Sequence, residues 1–337
     1  MFDQSLHDSI KRKNKIFVLC VSICVVLFTA ARMLLTRFYI DPHAHFYTDA
    51  GEMFGTYFDY LVAACIAALY FTSFFLYSKK TEGKKYAEVS DCFVQGTQTQ
   101  VFTASLTGFL FIACSVFQVY SFINPGETDL IPRGLPFMER LIEYISIYTF
   151  DFVIFFFSVL SALYFFKTAA LNFDIGENID KQDEPGENDE TDGNGNAGKK
   201  IKHKYSSGYI IFSFMPIIWA FLNTFKSFFD MSKSVNSPVR IYELVAFLAI
   251  SAYFVAESRM LVDRRESSKF YTFAYIAAII AAVSALPNLI WSSFWIFAPN
   301  SGLIIYALQL AVVFYILSRL YAQIRYSRFM FNDTPGK

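Results

Sequence analysis

The chain has 337 residues, 55% of them hydrophobic and only 17% charged, with 40 Phe and 21 Tyr, which is too apolar for a soluble domain of this length. Lys and Arg total 29 and Asp and Glu total 29, so the formal net charge is zero and no basic field is available for nucleic acid. The class implied is an all-α, polytopic transmembrane helix bundle with the lipid bilayer as its first partner.

Crossing ~30 Å of hydrocarbon takes about 20 apolar residues. Runs of that length lie near 16–36, 57–78, 101–122, 145–167, 208–229, 241–260, 270–297 and 302–322, so about eight helices are expected, arranged as four hairpins. Lys11, Arg12, Lys13 and Lys15 precede the first run in the manner of a signal peptide. Apolar character resumes beyond Arg32 at Met33, Leu34 and Leu35, and no lipobox precedes Cys20 or Cys24, which favours an uncleaved first helix. Cys65 and Cys114 also fall in apolar runs and Cys92 in a polar segment; with no Cys-x-x-Cys, no disulfide framework is implied. Pro287, inside the seventh run, predicts a kink that neighbouring helices must repair.

Between the first two runs stands "YIDPHAHFYTDAGE", residues 39–52. His43 and His45, with Asp41, Asp49 or Glu52, have the donor types of a tetrahedral zinc site. Two residues apart, the imidazoles share a face only on extended backbone, and His7 and His203 lie across the membrane from them. No metal and no cofactor is expected, and the loop reads as an ordered surface segment pinned by Tyr39, Phe46 and Tyr47 at the interface. The stretch "RFYIDPHAHFY" resembles a loop of uncharacterised multi-pass membrane proteins of low-GC Gram-positive bacteria, which carry Tyr-x-Asp-Pro followed by Gly-Phe-Tyr; here His45 stands in place of the Gly. The resemblance covers this one loop and implies a bacterial membrane setting without an activity.

Basic residues on alternate sides set the orientation, since cytoplasmic segments retain positive charge. Lys11–Lys15, Lys79–Lys85, Lys167–Lys204, Arg259–Lys269 and Arg319–Lys337 hold 22 of the 29 on one side. The other side has Arg32, Arg37, Arg133, Arg140, Lys226, Lys233 and Arg240. Both termini are therefore expected in the cytoplasm of a cell-membrane protein, with 39–52 outside. Residues 172–198 contain nine carboxylates, one Lys and little apolar surface, the composition of a disordered linker. The domain reading is a first four-helix half over 1–171, an acidic linker with a basic end over 172–207, and a second half over 208–337.

Chemical motifs are weak. "GNGNAGKK" satisfies Gly-x-Gly-x-x-Gly at Gly193, Gly195 and Gly198, but Lys200 stands where a P-loop needs Ser or Thr and no strand precedes it. "NDETDG" places Asn188, Glu190, Asp192 and Gly193 in EF-hand register, yet the twelfth position is Lys199 rather than Glu. Both read as solvated linker. Serine-nucleophile elbows, His-Glu-x-x-His and Asp-rich catalytic motifs are absent, so an enzyme is unsupported.

A repeated pattern marks the outer ends of the odd helices: Arg32 before Thr36 and Phe38, Gln118 before Ser121 and Phe122, Asn223 before Ser227 and Phe228, Asn288 before Ser292 and Phe294. Even helices offer Asp59, Asp151, Glu243 and Gln309, and "AALYFTS", "SALYFFK" and "SAYFVAE" are alike further along. Duplication, common in transporters, and chance similarity among Phe-rich helices both account for this. Asp151 and Glu243 each lie sixteen residues before a basic inner boundary, roughly 24 Å at 1.5 Å per residue. Arg32 and Asn223 reach comparable heights of about 25–29 Å. The expected polar layer is Arg32, Asp59, Gln118, Asp151, Asn223, Glu243 and Asn288, with pairs such as Arg32 to Asp59 or Asp151, Arg32–Asp151 first, and Lys226 to Glu243. Snorkelling to headgroups is the rival account, favoured for Lys226. Glu257 is expected to pair with Arg259 or Lys269 or to be solvated.

Two functions fit: a small-solute transporter or sensor with this layer as a site for a small molecule or ion, or a non-transporting scaffold that partners another membrane protein. Gly-x-x-x-Gly is absent from the spans, so no dimer face is specified.

Overall fold

The computed structural model describes residues 4–41, 46–78, 97–123, 136, 138–139, 149–183, 206–229, 236–262, 267–293 and 302–326. In chain order the helices are α1 Gln4–Tyr39, α2 Glu52–Ser78, α3 Gln98–Ile123, α4 Thr149–Asp183, α5 Ser207–Ser213, α6 Met215–Phe229, α7 Pro238–Leu261, α8 Ser267–Ser293 and α9 Gly302–Tyr326. Taking α5 and α6 together, eight are long and apolar enough to cross a membrane, so the chain is a multi-pass integral membrane protein. Side chains such as Leu19, Val26, Leu61 and Phe109 point outward, where lipid tails are their natural solvent.

Helix starts are written locally. Ser206 and Ser237 accept backbone N–H bonds from Tyr209 and Arg240, both at 3.3 Å, and Pro238 occupies the first turn of α7. The break between α5 and α6 falls at Phe214, just ahead of Pro216, which has no N–H to give to Phe212. The Ser258 hydroxyl of α7 donates to the Ser213 carbonyl at 3.0 Å, satisfying backbone at the break from a neighbouring helix. The sequence pointed instead to Pro287, yet α8 runs through that residue to Ser293.

Small residues decide which helix is central. Ala274, Ala277, Ala278, Ala281, Ala282 and Ala285 are all buried along α8, letting α1, α2, α7 and α9 approach it closely. Accordingly 72% of the α8 span is buried, against 17% for the α1 and α2 spans, which lie at the edge. Helices α3, α4, α6, α7, α8 and α9 pack in a closed ring, each on the next and α9 back on α3. Aromatic rings fill its middle. Phe111 meets Phe165 at 5.3 Å and Trp219 at 4.7 Å, Trp219 meets Phe247 at 5.6 Å, and Phe165 meets Phe254 at 5.8 Å and Tyr315 at 5.0 Å.

The linker reading needs correction at its start. Asn172 is buried on α4 and donates to the Thr168 carbonyl at 2.7 Å, and the helix continues to Asp183. A helix nucleated inside the membrane extends at one hydrogen bond per residue without a new nucleus. Residues 184–205, with the Gly-rich and EF-hand-like motifs, lie outside the described residues.

Candidate functional site

The loop after α1 folds back on itself. Asp41 N donates to Phe46 O at 2.9 Å, Thr48 N to Tyr39 O at 2.7 Å, and Ile40 bridges Tyr47 in antiparallel fashion. Glycine lets the loop lie flat on α2, since a Cβ on Gly51 would stand 2.3 Å from the Tyr39 side chain and one on Gly55 2.4 Å from the Tyr47 ring. Tyr47 is thereby delivered between two charges. An Arg32 guanidinium N–H donates to the Tyr47 hydroxyl, which donates in turn to Asp59 at 3.1 and 3.2 Å. Tyr242 of α7 donates to Asp59 Oδ1 at 2.9 Å, and its ring lies 4.4 Å from the Arg32 guanidinium carbon. Arg32 and Asp59 also form the expected ion pair, at 3.9 Å.

Burial pushes the Tyr47 hydroxyl up to about 12; Arg32 opposes the shift and the Asp59 carboxylate adds to it. Tyr47 therefore keeps its proton through the neutral range and remains the relay between the charges. His43 and His45 lie outside the described residues, and among the described residues no three His, Cys, Asp and Glu side chains are placed to hold a metal ion.

Asp59 lines a crevice of about 470 Å³ between α2 and α7, floored by Ile280 of α8. Its side chain is 36% exposed, whereas that of Arg32, behind it, is 3% exposed. The carboxylate thus faces the opening and its counter-charge does not.

The other members of the expected layer do not join this site. Asp151 pairs with Lys226, joining α4 to α6, so neither the Arg32–Asp151 nor the Lys226–Glu243 pairing forms, and Lys226 is bonded within the bundle instead of snorkelling. For Arg32 and Asp151 the reason is lateral order: α1 packs on α8, whereas α4 neighbours α6. Asn223 donates to Trp219 O on its own helix at 2.9 Å. Glu243, Asn288 and Gln309 are buried on α7, α8 and α9, and Gln118 is half-buried on α3. Arg240 donates through Nε to Ser227 O at 2.9 Å and through Nη2 to Phe228 O, closing the C-terminus of α6 with positive charge. Because Asp151 and Lys226 bridge two helices, Asp151→Asn and Lys226→Gln should couple by about 1 kcal/mol in a double-mutant cycle, read by unfolding in mixed micelles; additive costs would show that the bridge is solvated away.

A second cluster occupies the opposite end of the ring. Arg319 Nη2 lies 3.5 Å from Glu257 Oε1, with both side chains 1% exposed. Tyr315 accepts from Arg319 Nε at 3.0 Å and donates to Glu257 Oε1 at 2.7 Å. Each end of the bundle thus carries one arginine–tyrosine–carboxylate relay. Tyr164 and Tyr253, both fully buried, pack their rings against Phe165 and Phe254 at 5.3 and 5.1 Å. Tyr209 of α5 stacks on Tyr164 at 5.5 Å and shares a hydrogen bond with Thr168 at 2.9 Å. Glu257 is therefore not paired through Arg259 or Lys269 as expected, and Arg319 belongs to the interior and not to the cytoplasmic charges. A signal was available in the spacing: Tyr253 precedes Glu257 and Tyr315 precedes Arg319 by one helical i,i+4 step, which puts each phenol beside a charge.

No protein-family model matches the chain, and neither curated proteins nor solved structures provide a match.

Proposed function

We propose that the chain is a small-solute transporter or sensor of the cell membrane whose binding site is the crevice at Asp59. The observation that carries this reading is a carboxylate held by Arg32, Tyr47 and Tyr242 yet open to a cavity of about 470 Å³, within the size range of small-molecule sites. The other ion pairs differ: Glu257–Arg319 is sealed at 1% exposure, and Asp151–Lys226 ties two helices together. The asymmetry of Lys and Arg supports placing the crevice on the outer side with both termini in the cytoplasm.

The test is access. In a chain whose five native cysteines are replaced, Thr56→Cys should react with the impermeant reagent methanethiosulfonate ethylammonium applied to the outer face of intact cells. A cysteine that reacts only after permeabilisation would reverse the orientation. One that never reacts in folded protein would mark a dry layer and leave the scaffold reading.

A further inference from the structure

We propose that the Asp59 crevice takes a primary ammonium group carried on an apolar chain. The inference rests on the crevice being a binding site and names the chemistry it selects.

The α2 wall is graded. Glu52, Thr56 and Asp59 line its upper part, and Val62, Ala63 and Ile66 its lower part, so over a length of about 21 Å at 1.5 Å per residue the lining passes from carboxylates to hydrocarbon. The α7 wall contributes Pro238, Ile241 and Val245, with Tyr242 as its polar member. An occupant therefore has a polar head at the loop and an apolar body toward the bilayer centre, the disposition of an amphiphile in a leaflet.

Charge selects the head. Among the described residues two carboxylates, Asp59 and Glu52, line the crevice and no Lys or Arg does; Arg32, 3% exposed, spends its charge on Tyr47, Tyr242 and Asp59 from behind. The lining keeps an excess of negative charge in a low-dielectric setting, where a cation is favoured and an anion repelled. Phe46 also lines the crevice, and an aromatic ring suits the same cation.

Hydrogen bonding narrows the class. Asp59 Oδ1 accepts from both Tyr47 and Tyr242, at 3.1 and 2.9 Å, whereas Oδ2 receives only a 3.2 Å share of the Tyr47 hydroxyl. An ionised carboxylate accepts about four hydrogen bonds and donates none, so Oδ2 needs a donor from the crevice. A primary ammonium brings three N–H donors, and a quaternary one brings none.

Two sources share this chemistry: the headgroup of an aminolipid such as phosphatidylethanolamine, and a free long-chain amine. The experiment uses the full chain in phosphatidylcholine nanodiscs and three alkyl probes of equal length, each with a mid-chain diazirine, ending in a primary amine, a trimethylammonium or a carboxylate. After illumination, labelled peptides are mapped by mass spectrometry. The amine should label residues 62–66 and 241–245, unlabelled decylamine should compete with it, and Asp59→Asn should lower that labelling at least tenfold. Ile66→Trp, which fills the crevice two helical turns below Asp59, should do the same if Asp59→Asn fails to fold. Phosphatidylethanolamine in the disc displaces the probe if the source is lipid and leaves it if the source is a free amine. Equal or better labelling by the carboxylate or the trimethylammonium probe overturns the ammonium assignment and leaves the site standing. No saturable labelling by any probe in folded protein overturns both.

Discussion

Replacing Arg319 by Gln should destabilise the protein by about 3–5 kcal/mol, because it strands the Glu257 carboxyl, 1% exposed, without its counter-charge. The pair is costly to bury in the first place, and the structure offsets that cost with the Tyr315 hydroxyl, which accepts from the guanidinium and donates to the carboxylate. Removing both charges in Glu257→Gln with Arg319→Gln should therefore cost much less than the two single changes added together. Tyr315→Phe, which removes only the bridge, should cost about 1–3 kcal/mol. Equilibrium unfolding in mixed detergent micelles measures all four variants, and additive costs for Glu257 and Arg319 would mean that the charges do not depend on each other.

Gly55→Ala should disrupt the relay at the opposite end. The added carbon would stand 2.4 Å from the Tyr47 ring, so the ring must leave its place between Arg32 and Asp59. Overpacking of this kind costs about 1–3 kcal/mol, and here the loss of the relay adds to it. Pairing the change with Tyr47→Ala removes the clash, so the double variant should be more stable than additivity allows. Crevice labelling by the amine probe should fall in Gly55→Ala, since Tyr47 forms part of the wall. Unchanged stability would show that the loop does not lie on α2 through Tyr47.

Counting along the chain assigns each polar residue a height on its own helix, but it does not name its partner. Counting from basic boundaries places Arg32 and Asp151 at one height, and composition alone makes them a plausible pair. Yet Arg32 meets Asp59 and Asp151 meets Lys226, because α1 packs on α8 while α4 lies beside α6. Hydropathy encodes depth through the length of apolar runs and carries no term for which helix stands next to which. Tyr47 shows the same limit: its aromatic ring suggests an interfacial anchor, but the fold-back of the loop and two glycines turn it inward.

The inner relay was missed for a different reason. Arg319 begins a run of cytoplasmic-looking charge in the sequence, and Glu257 stands one turn from the end of its apolar run, so both read as boundary residues. Ring closure of α7, α8, α9, α3 and α4 surrounds that level with protein, so a position that would be solvated on an isolated helix becomes 1% exposed. At the start of the acidic segment the error ran the other way, since a composition that cannot nucleate structure alone can still prolong a helix already formed.

The membrane class and the eight spans among the described residues follow from residue order, because transfer of about 20 apolar residues into hydrocarbon is a local, additive property of a segment. Partner choice, the crevice at Asp59 and the sealed Glu257–Arg319 pair arise when α8 presents its alanines to four neighbours and the six-helix ring closes. Those features depend on side chains far apart in sequence meeting in space, a non-local condition that no window along the chain contains.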